Sequence, residues 1–293
     1  MKKKKSNIEG YLFMLPPFLV IFIFLIYPLL YSLYLSFTNF DYIYPDACKF
    51  IGLGNYLHLF KDETFIRALK HTGILLVVYY PVVIILSIFL ALLISGKIKG
   101  MKVARTAIFL PIVIPLSFIA IIWQWMYNNS YGVINQFLIN VLNLKALHRN
   151  WLGDPKYALY SIIVVNIWRR IPYDSIIFLA GLYAIPKDIY EVAKIDGAGF
   201  WKRLTHITLL LLKEALIIVA VLEAIFFVKI FVQVYVMTGG GPAESTEMLY
   251  TYAYRVAFRY YKMGYAAAIS YVMTLIILLI TWTNMKIFRT ERQ

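Results

Sequence analysis

The sequence predicts an all-α membrane protein with six transmembrane helices. Of its 293 residues, 61% are hydrophobic and only 15% are charged, and the mean hydropathy is +0.72. A soluble domain of this size has no interior large enough for so much apolar surface. Apolar segments of roughly 20 residues, the length that crosses a hydrocarbon layer of about 30 Å, lie at 12–35, 72–95, 105–127, 158–182, 213–237 and 263–287.

The basic residues set the predicted orientation of these segments. The formal net charge is +14, and lysines and arginines cluster at 2–5, 97–105, 187–213 and 286–292. If the six segments alternate in direction, all these clusters lie on one side, and an excess of positive charge marks the cytoplasmic side. The prediction therefore places both termini in the cytoplasm. Because the membrane accounts for the charge, membrane lipid is a predicted partner and nucleic acid is not.

The first segment is predicted to be a retained helix, although lysines precede it as they do in a secretory signal peptide. It is too long for the apolar core of such a peptide, it contains prolines, and it ends in aromatic residues rather than in a cleavage site. In the following outer loop, 38–71, apolar residues at helical spacing predict short helices that lie on the outer surface: Leu57, Phe60, Phe65 and Leu69.

The third and fifth segments contain residues that interrupt helices. Pro111 and Pro115 in the third segment predict a bend or a local unwinding. The fifth segment ends in Gly-Gly-Gly-Pro at 239–242, which predicts a turn because this sequence cannot continue a helix. Beyond the turn, 245–260 is predicted to form a helix at the outer interface, with apolar residues at helical spacing: Leu249, Tyr252, Val256 and Tyr260.

Motifs for catalysis are absent from the sequence. It contains no GxxxxGK[ST] phosphate-binding loop, no HExxH metal motif and no GxSxG nucleophile motif. Cys48 is the only cysteine, so neither an intramolecular disulfide nor a thiolate metal site is predicted. We therefore predict no catalytic residues, no metal site and no enzymatic activity for this chain.

The stretch between the fourth and fifth apolar segments is charged and contains glycines. It reads PKDIYEVAKIDGAGFWKRLTHITL over 186–209. Asp188 and Glu191 resemble a capping box, with acids at the positive end of a helix dipole, and Gly197 and Gly199 break that helix because both can adopt positive φ at little cost. The pattern predicts a short helix, a glycine elbow and a second helix that begins at Phe200 and runs into the fifth segment.

Two interpretations of this stretch follow from its residues alone. It could be a solvated connecting loop on the cytoplasmic side. The small residues Ala193, Ala198 and Gly199 favour the other interpretation, because small side chains permit close approach by the backbone of another chain.

The stretch resembles the EAA loop of the membrane subunits of ABC importers. The residues that match the pattern of that loop are Glu191, Ala193, Asp196, Gly197, Ala198, Ile207 and Leu209. Leu210 and Glu214 stand where the family usually has proline, which leaves the bend of the second helix unpredicted. Further stretches, among them RTAIFLPIVIP, YGVINQFL and VYVMTGGGPAESTEMLYTYAYRVAF, are similar to the sugar-permease branch, which includes maltose- and glycerol-phosphate-type permeases. The resemblance covers about 11–287.

The resemblance implies the permease fold of an ABC type I importer. Its expected organisation is a basic cytoplasmic N-terminus (1–10), a first transmembrane helix and outer loop (11–71), a permease domain (72–287) and a cytoplasmic tail (288–293), with the coupling loop at 186–212. The implied function is import of a sugar or sugar derivative through a bacterial plasma membrane. The implied partners are a second homologous permease, two cytoplasmic ATPase subunits that bind ATP and Mg²⁺, and an extracellular solute-binding protein; the chain itself is expected to bind no cofactor.

The resemblance also implies how the loop works. Residues 187–199 correspond to a coupling helix that docks on an ATPase subunit, with Glu191 and Asp196 in polar contacts and Gly197 at the elbow. Ala193, Ala198 and Gly199 complete the expected coupling site. Closure of the ATPase subunits would push this helix, through the loop at 187–204, and switch the permease between outward and inward access.

Polar residues inside the apolar segments are candidates for a translocation pathway or a subunit interface, because such residues are costly in lipid. They are Asn166, Arg169, Arg170, Asp174, Glu223, Lys229 and Gln233. Arg170 and Asp174 lie one helical turn apart and can neutralise each other. Glu223 needs a partner elsewhere in the protein, and Lys229 and Gln233 are predicted to share one helix face.

Trp123 and Trp125 are open to two interpretations, an aromatic belt at the outer interface or stacking on sugar rings. The intramembrane charges Glu223 and Lys229 also motivate an alternative function, a secondary transporter driven by an ion gradient. A membrane scaffold or sensor is disfavoured because the sequence shows no soluble signalling domain. Which sugar is carried is not evident from the sequence.

Overall fold

The computed structural model describes residues 2–96 and 100–289, with side chains for 10–96, 100–101 and 103–286. Over this part of the chain the protein is helical, with a single isolated bridge between Thr38 and Phe50 and no strand. The predicted all-α class is therefore confirmed. Several of the basic side chains that set the predicted orientation lie outside the described side chains: those at 2–5, 97, 99, 102, 289 and 292.

The chain divides into two compact units. One consists of the residues up to Asp62 together with Ala253–Val272, and the other of Glu63–Tyr252 together with the residues from Met273 onwards.

The first unit begins with one long apolar helix. Helix α1 (Lys2–Ile21) continues through a π-helical turn at Phe22–Ile26 into α2 (Tyr27–Ser36). The end of α2 is held by Asn55 at the start of α3 (Gly54–Leu59), whose side-chain nitrogen donates to the carbonyls of Ser36 and Thr38 at 2.8 and 2.7 Å. The predicted first transmembrane segment is thus present as a helix.

The second unit begins with α4 (Glu63–Ser95), a helix of 33 residues. It starts earlier than the predicted segment at 72, because no glycine or proline stands before that point to end a helix and Glu63 complements the dipole of its first turn. The predicted surface helices are therefore wrong in part. Phe65 and Leu69 belong to α4, where Phe65 is buried, whereas Leu57 and Phe60 remain exposed.

The third apolar segment is broken, as the prolines predict. Helix α5 (Met101–Val113) is followed by α6 (Leu116–Met126), and the two helices meet at an angle of 100°. Ile114 and Pro115 between them are extended, with ψ of 129° and 139°, because a proline disfavours the helical conformation of the residue before it. Pro111 stays inside α5, so Pro115 alone marks the break.

A short helix α7 (Val133–Asn140) precedes α8 (Pro155–Ala184), which contains the fourth apolar segment. Helix α8 starts at a regular cap, where the Asp154 side chain accepts from the backbone N–H of Lys156 at 2.9 Å. Helices α4 and α8 pack along each other. At the loop end of α8 they share an apolar core with the fifth segment: Ala91, Ile94, Phe178, Leu179, Leu212, Ala215 and Val219.

After α8 the chain forms the loop helices α9 (Lys187–Ile195), α10 (Phe200–Arg203) and α11 (Leu209–Leu211). The fifth apolar segment follows, but it is not one helix. It consists of α12 (Lys213–Val228) and α13 (Val232–Met237), separated by a break at 229–231. The predicted turn at 239–242 is confirmed, with positive φ at Gly239 and Gly240.

Two helices complete the chain, α14 (Leu249–Phe258) and α15 (Met263–Arg289). The helix predicted over 245–260 is present in part as α14, and its apolar residues Leu249, Tyr252 and Val256 are buried within the protein. Its position at the outer interface stays a prediction. Tyr260 lies beyond the end of α14 and is exposed.

The long apolar helices make this a membrane protein. By length and composition, helical stretches over Gly10–Ser36, Glu63–Ser95, Lys213–Met237 (α12 and α13 together) and Met263–Lys286 can cross a bilayer, and the bent pair α5–α6 can form one more span. Helix α8 is 30 residues long, but Arg169, Arg170 and Asp174 lower its hydropathy. The described residues therefore support four or five spans on composition alone.

Candidate functional site

The loop helix α9 ends in a hydrogen-bonded glycine elbow. The backbone N–H of Ala198 donates to the carbonyl of Ala193 at 2.9 Å, and that of Gly197 donates to the carbonyl of Lys194 at 3.1 Å. These two bonds, with Gly197 at φ +72°, form a Schellman motif, which satisfies the last carbonyls of a helix. The predicted short helix and elbow are therefore present, and Gly197 is the residue that makes the turn.

The prediction that Gly199 breaks the helix by adopting positive φ is wrong. Its φ is −66° and its ψ is 172°, a conformation open to any residue. It stands at the N-terminus of α10, where the second helix begins at Phe200 as predicted. That helix contains a π-helical turn at Leu204–Thr208 before α11.

The connection into α12 is hydrogen-bonded, and it passes through Leu210 in α11 and Glu214 in α12, where the family usually has proline. The N–H of Leu212 donates to the carbonyl of Thr208, and the N–H of Leu216 donates to the carbonyl of Leu212, both at 2.9 Å. Only a turn at Leu212, with ψ near 0°, separates α11 from α12. The backbone thus runs from the elbow into the fifth segment with few interruptions.

The exposed surface of α9 combines acidic and apolar side chains. Glu191 and Asp196 are exposed, and so are Val192 and Ile195, the latter to 85%. Ala193 is buried by this chain itself, so it supports the elbow rather than offering surface to another protein. Exposed apolar residues beside carboxylates are typical of a surface that a partner covers.

The loop is also tied to the helix that follows it. The hydroxyl groups of Tyr190 in α9 and Thr208 in the π-helical turn lie 3.0 Å apart and share a hydrogen bond. Thr208 is buried. This hydrogen bond connects α9 directly with the turn that leads towards α12.

A buried charge cluster joins three helices of the second unit. The Nε atom of Arg170 in α8 donates to Glu223 Oε1 in α12 at 2.5 Å, and its Nη2 atom lies 3.2 Å from Asp174 Oδ1. The hydroxyl of Tyr79 in α4 donates to the other oxygen of Glu223. Glu223 and Asp174 are fully buried.

The cluster confirms the predicted pair of Arg170 and Asp174 and identifies the partners that Glu223 needs. Tyr79 is not among the residues predicted for this cluster. The sequence feature that could have indicated its role is a tyrosine hydroxyl within an apolar segment, since a buried tyrosine hydroxyl usually forms a hydrogen bond.

A second polar contact joins α8 to α13. The Nε2 atom of Gln233 donates to Asn166 Oδ1 at 2.5 Å, and Asn166 Nδ2 donates to the carbonyl of Ile162 at 2.8 Å. Both side chains are buried. The prediction that Lys229 shares a helix face with Gln233 is wrong, because the break at 229–231 interrupts the helical spacing and leaves Lys229 exposed.

Arg169 differs from the other charged residues of α8. It is half-buried, and its buried Nε atom has no hydrogen-bond partner among the described residues. Its neighbour Arg170 is bonded to both nearby carboxylates. Arg169 is therefore a cation of α8 that forms no ion pair with a carboxylate among the described residues.

The two tryptophans of α6 occupy different environments. The ring of Trp123 lies 5.5 Å from that of Trp168 and 5.4 Å from that of Tyr127, so it packs within the protein. Trp125 is 63% exposed. Trp125 therefore presents more of its ring to the interface or to a ligand than Trp123, which is half-buried.

Comparison with known proteins identifies the family. Residues 83–285 match the family described as binding-protein-dependent transport system inner membrane component. The chain is 34% identical to the probable ABC transporter permease protein YurN of Bacillus subtilis (strain 168), with 99% of both proteins covered. It is also 34% identical to the trehalose/maltose transport system permease protein MalF of Thermococcus litoralis, over 97% of this chain and 94% of that protein.

The fold matches that of a solved transporter. With a TM-score of 0.82 and 25% identity, the chain is similar to one chain of a bacterial alginate ABC transporter in complex with an alginate pentasaccharide-bound periplasmic protein, covering 99% of this chain and 96% of that one. These findings confirm the resemblance inferred from the EAA loop. The chain belongs to the family of inner membrane components of binding-protein-dependent transport systems, and it is a transport subunit rather than an enzyme.

Proposed function

We propose that this chain is one permease of an ATP-driven importer that carries a sugar or a sugar derivative across a bacterial plasma membrane. Family membership supports the transport role, and the names of the trehalose/maltose and alginate systems support a carbohydrate. The partners we propose are a second permease, two cytoplasmic ATPase subunits and an extracellular solute-binding protein. ATP and Mg²⁺ belong to the ATPase subunits in this proposal.

Six transmembrane helices with both termini in the cytoplasm complete the proposal. The positions of the basic residues support this orientation, and α8 is long enough to serve as a span. Arg170 and Asp174 are compatible with a span because Arg170 forms ion pairs with Asp174 and Glu223 inside the protein.

The observation that carries the proposal is the surface of α9. The side chains of Glu191, Val192 and Ile195 are exposed on this helix, and the end of the helix is fixed by the hydrogen bonds of the elbow. A partner that binds this surface can displace α9 as a rigid unit, together with the membrane helices attached to it. We propose that the ATPase subunits bind here, with Glu191 and Asp196 in polar contacts, Gly197 setting the elbow, and Ala198 and Gly199 beside the docked helix.

The contacts between α9 and the following helices suggest how a displacement of α9 is transmitted to the membrane helices. The hydrogen bond between Tyr190 and Thr208 joins α9 to the chain entering α12. Leu212 at that point belongs to the core formed with α4 and α8. The cluster of Tyr79, Arg170 and Glu223 joins the same three helices deeper in the unit. We propose that these helices move together between outward and inward access.

The remaining polar residues are proposed for the pathway or the interface with the second permease. Arg169 is the leading candidate, because an intramembrane cation without a bonded carboxylate indicates a functional role. Lys229 is exposed at the break of the fifth segment and is available to a second subunit or to solute. Asn166 and Gln233 already bind each other, so their role includes holding α13 against α8.

Reconstitution of the complete transporter tests this function. We expect solute uptake that requires ATP, and we expect no uptake by this chain alone in liposomes with an imposed ion gradient. Replacing Glu191 by Ala, or Gly197 by a larger residue, should abolish uptake while membrane insertion stays intact. Asp46→Ala, an exposed acid in the first unit, serves as the matched control. Normal uptake by both loop variants would remove the coupling role, and uptake by the chain alone would indicate a secondary transporter.

A further inference from the structure

A cavity of about 290 Å³ lies where α4 and α8 end beside the coupling loop. Its apolar wall includes Leu92 of α4, Leu182 of α8 and Leu204 of the π-helical turn. Arg203 of α10 and Tyr183 of α8 contribute polar groups to the lining. The cavity is separate from the buried charge cluster and from the exposed surface of α9.

The charged groups around this cavity are cationic. Arg203 lines it and forms no ion pair with any residue that the structure describes. A second guanidinium stands beside it, because Arg105 of α5 donates to the hydroxyl of Tyr183 at 2.9 Å and also to the carbonyl of Ile94. No aspartate or glutamate lines the cavity.

The hydroxyl of Tyr183 adds a donor to this setting. It accepts the hydrogen bond from Arg105, so its own proton remains available for a ligand. Arg203 can offer a planar pair of N–H groups. Two guanidinium groups and a hydroxyl donor around a site without carboxylates favour a phosphate group.

We propose that this cavity binds the phosphate group of an anionic phospholipid. The shared chemistry would also fit a soluble phosphate, but the leucine-rich wall favours a lipid. Leu92 and Leu182 continue the apolar segments of α4 and α8 to their ends, so the cavity lies where a spanning helix leaves the hydrocarbon layer. Basic pockets between helices at this depth suit acidic lipid head groups. This inference goes beyond the proposed transport function and does not require it.

Lipid binding to the purified full chain tests the site directly. We would measure, by native mass spectrometry in detergent, the binding of phosphatidylglycerol and of phosphatidylcholine to the native protein and to variants. Arg203→Gln should weaken phosphatidylglycerol binding about tenfold, as expected for loss of a charged hydrogen bond. Lys202→Gln removes the same charge from the exposed neighbouring residue, so it measures the loss from general attraction alone.

A second variant keeps the charge and fills the space. Ser95 lines the cavity, and Ser95→Leu should reduce phosphatidylglycerol binding while leaving both guanidinium groups in place. Equal losses in Arg203→Gln and Lys202→Gln would overturn the proposal, as would equal binding of the two lipids. Displacement of phosphatidylglycerol by millimolar inorganic phosphate would show a soluble anion as the ligand and would also overturn it. Because no ATP or solute is used, a failure here is distinct from a failure of the transport proposal.

Discussion

The two glycines of the elbow, Gly197 and Gly199, differ in how well their backbone conformations would tolerate a side chain. Gly197 has φ +72°, whereas Gly199 has φ −66°, and at both positions a Cβ atom would find no heavy atom within 4 Å. The difference between them is therefore conformational and not steric. A residue with a Cβ atom is strained in the left-handed region by about 1–2 kcal/mol.

Substitution by alanine should separate these glycines. We expect Gly197→Ala to destabilise the Schellman motif by about 1–2 kcal/mol, so that the amide hydrogens of Gly197 and Ala198 exchange about five to thirty times faster. Gly199→Ala should leave their exchange nearly unchanged. Hydrogen exchange measured by mass spectrometry on both variants checks this. Equal acceleration in the two variants would contradict the conformational explanation.

The carboxylates around Arg170 are also unequal. Glu223 binds Arg170 and Tyr79 and so joins α12 to α8 and α4, whereas Asp174 lies on the same helix as Arg170. We expect Glu223→Gln to lower the free energy of unfolding by about 3 kcal/mol, because it breaks a buried pair between helices. Asp174→Asn should cost about 1 kcal/mol, since Arg170 keeps its bond to Glu223. Unfolding titrations in detergent measure both, and a larger cost for Asp174→Asn would refute this ranking.

These residues show what spacing in a sequence can and cannot predict. The pair of Arg170 and Asp174 follows from their separation of one helical turn, and the structure confirms it. The bond from Arg170 to Glu223 joins residues 53 positions apart, and no local periodicity reports on such a pair. The prediction for Lys229 fails for a related reason: the break at 229–231 contains neither glycine nor proline, the residues that signal an interruption.

At the scale of elements, the packing of α8 against the chain entering α12 depends on one glycine. A Cβ atom on Gly181 would lie 2.9 Å from Cδ2 of Leu212 and 3.0 Å from Cβ of Ala215. The leucine side chain can move, but the Cβ atom of Ala215 is fixed to the backbone. Gly181 therefore sets how closely the fourth and fifth segments approach behind the coupling loop.

We expect Gly181→Ala to lower the free energy of unfolding by about 1–3 kcal/mol through overpacking. Gly73→Ala is the matched control, since Gly73 also lies within a long helix but has no heavy atom within 4 Å of the added Cβ. That change should be neutral or slightly stabilising, because alanine favours a helix more than glycine does. Unfolding titrations compare the two variants, and a similar loss from Gly73→Ala would show that the close approach at Gly181 is not the cause.

Breaks and turns were predictable from the sequence where they depend on the backbone preferences of a single residue. Pro115 bends the third segment and the glycines at 239–242 form a turn because both effects are local. The surroundings of an amphipathic helix are not local. The apolar face of α14 fits a membrane surface or a protein interior equally well, and only the structure shows that Leu249 and Val256 are buried.

At the scale of the whole molecule, the first helix stands out by its exposure. Within Gly10–Ser36, no residue of the most apolar stretch is buried by this chain. Lipid or another subunit must cover it, because exposed apolar area of this extent is unfavourable in water. This is the property expected of one subunit in a membrane assembly, and it agrees with the proposed second permease.

The orientation of the chain in the membrane leads to a further prediction. In a Cys48→Ser background, which removes the only cysteine, Lys61→Cys and Lys194→Cys place one thiol in the predicted outer loop and one on α9. Both lysines are exposed, so both thiols are accessible to a reagent on their own side. In intact cells that express this chain without its partners, a membrane-impermeant thiol reagent should label Lys61→Cys and leave Lys194→Cys unlabelled.

Permeabilisation of the cells supplies the control, because Lys194→Cys should then react to the same extent as Lys61→Cys. Labelling of Lys194→Cys in intact cells would place α9 outside, where no ATP-hydrolysing subunit can reach Glu191 or Ile195. The coupling role of the loop and the positive-inside orientation would then fail together, although the fold and the family would stand. The opposite result would leave the exposed acidic and apolar surface of α9 facing the compartment that contains ATP.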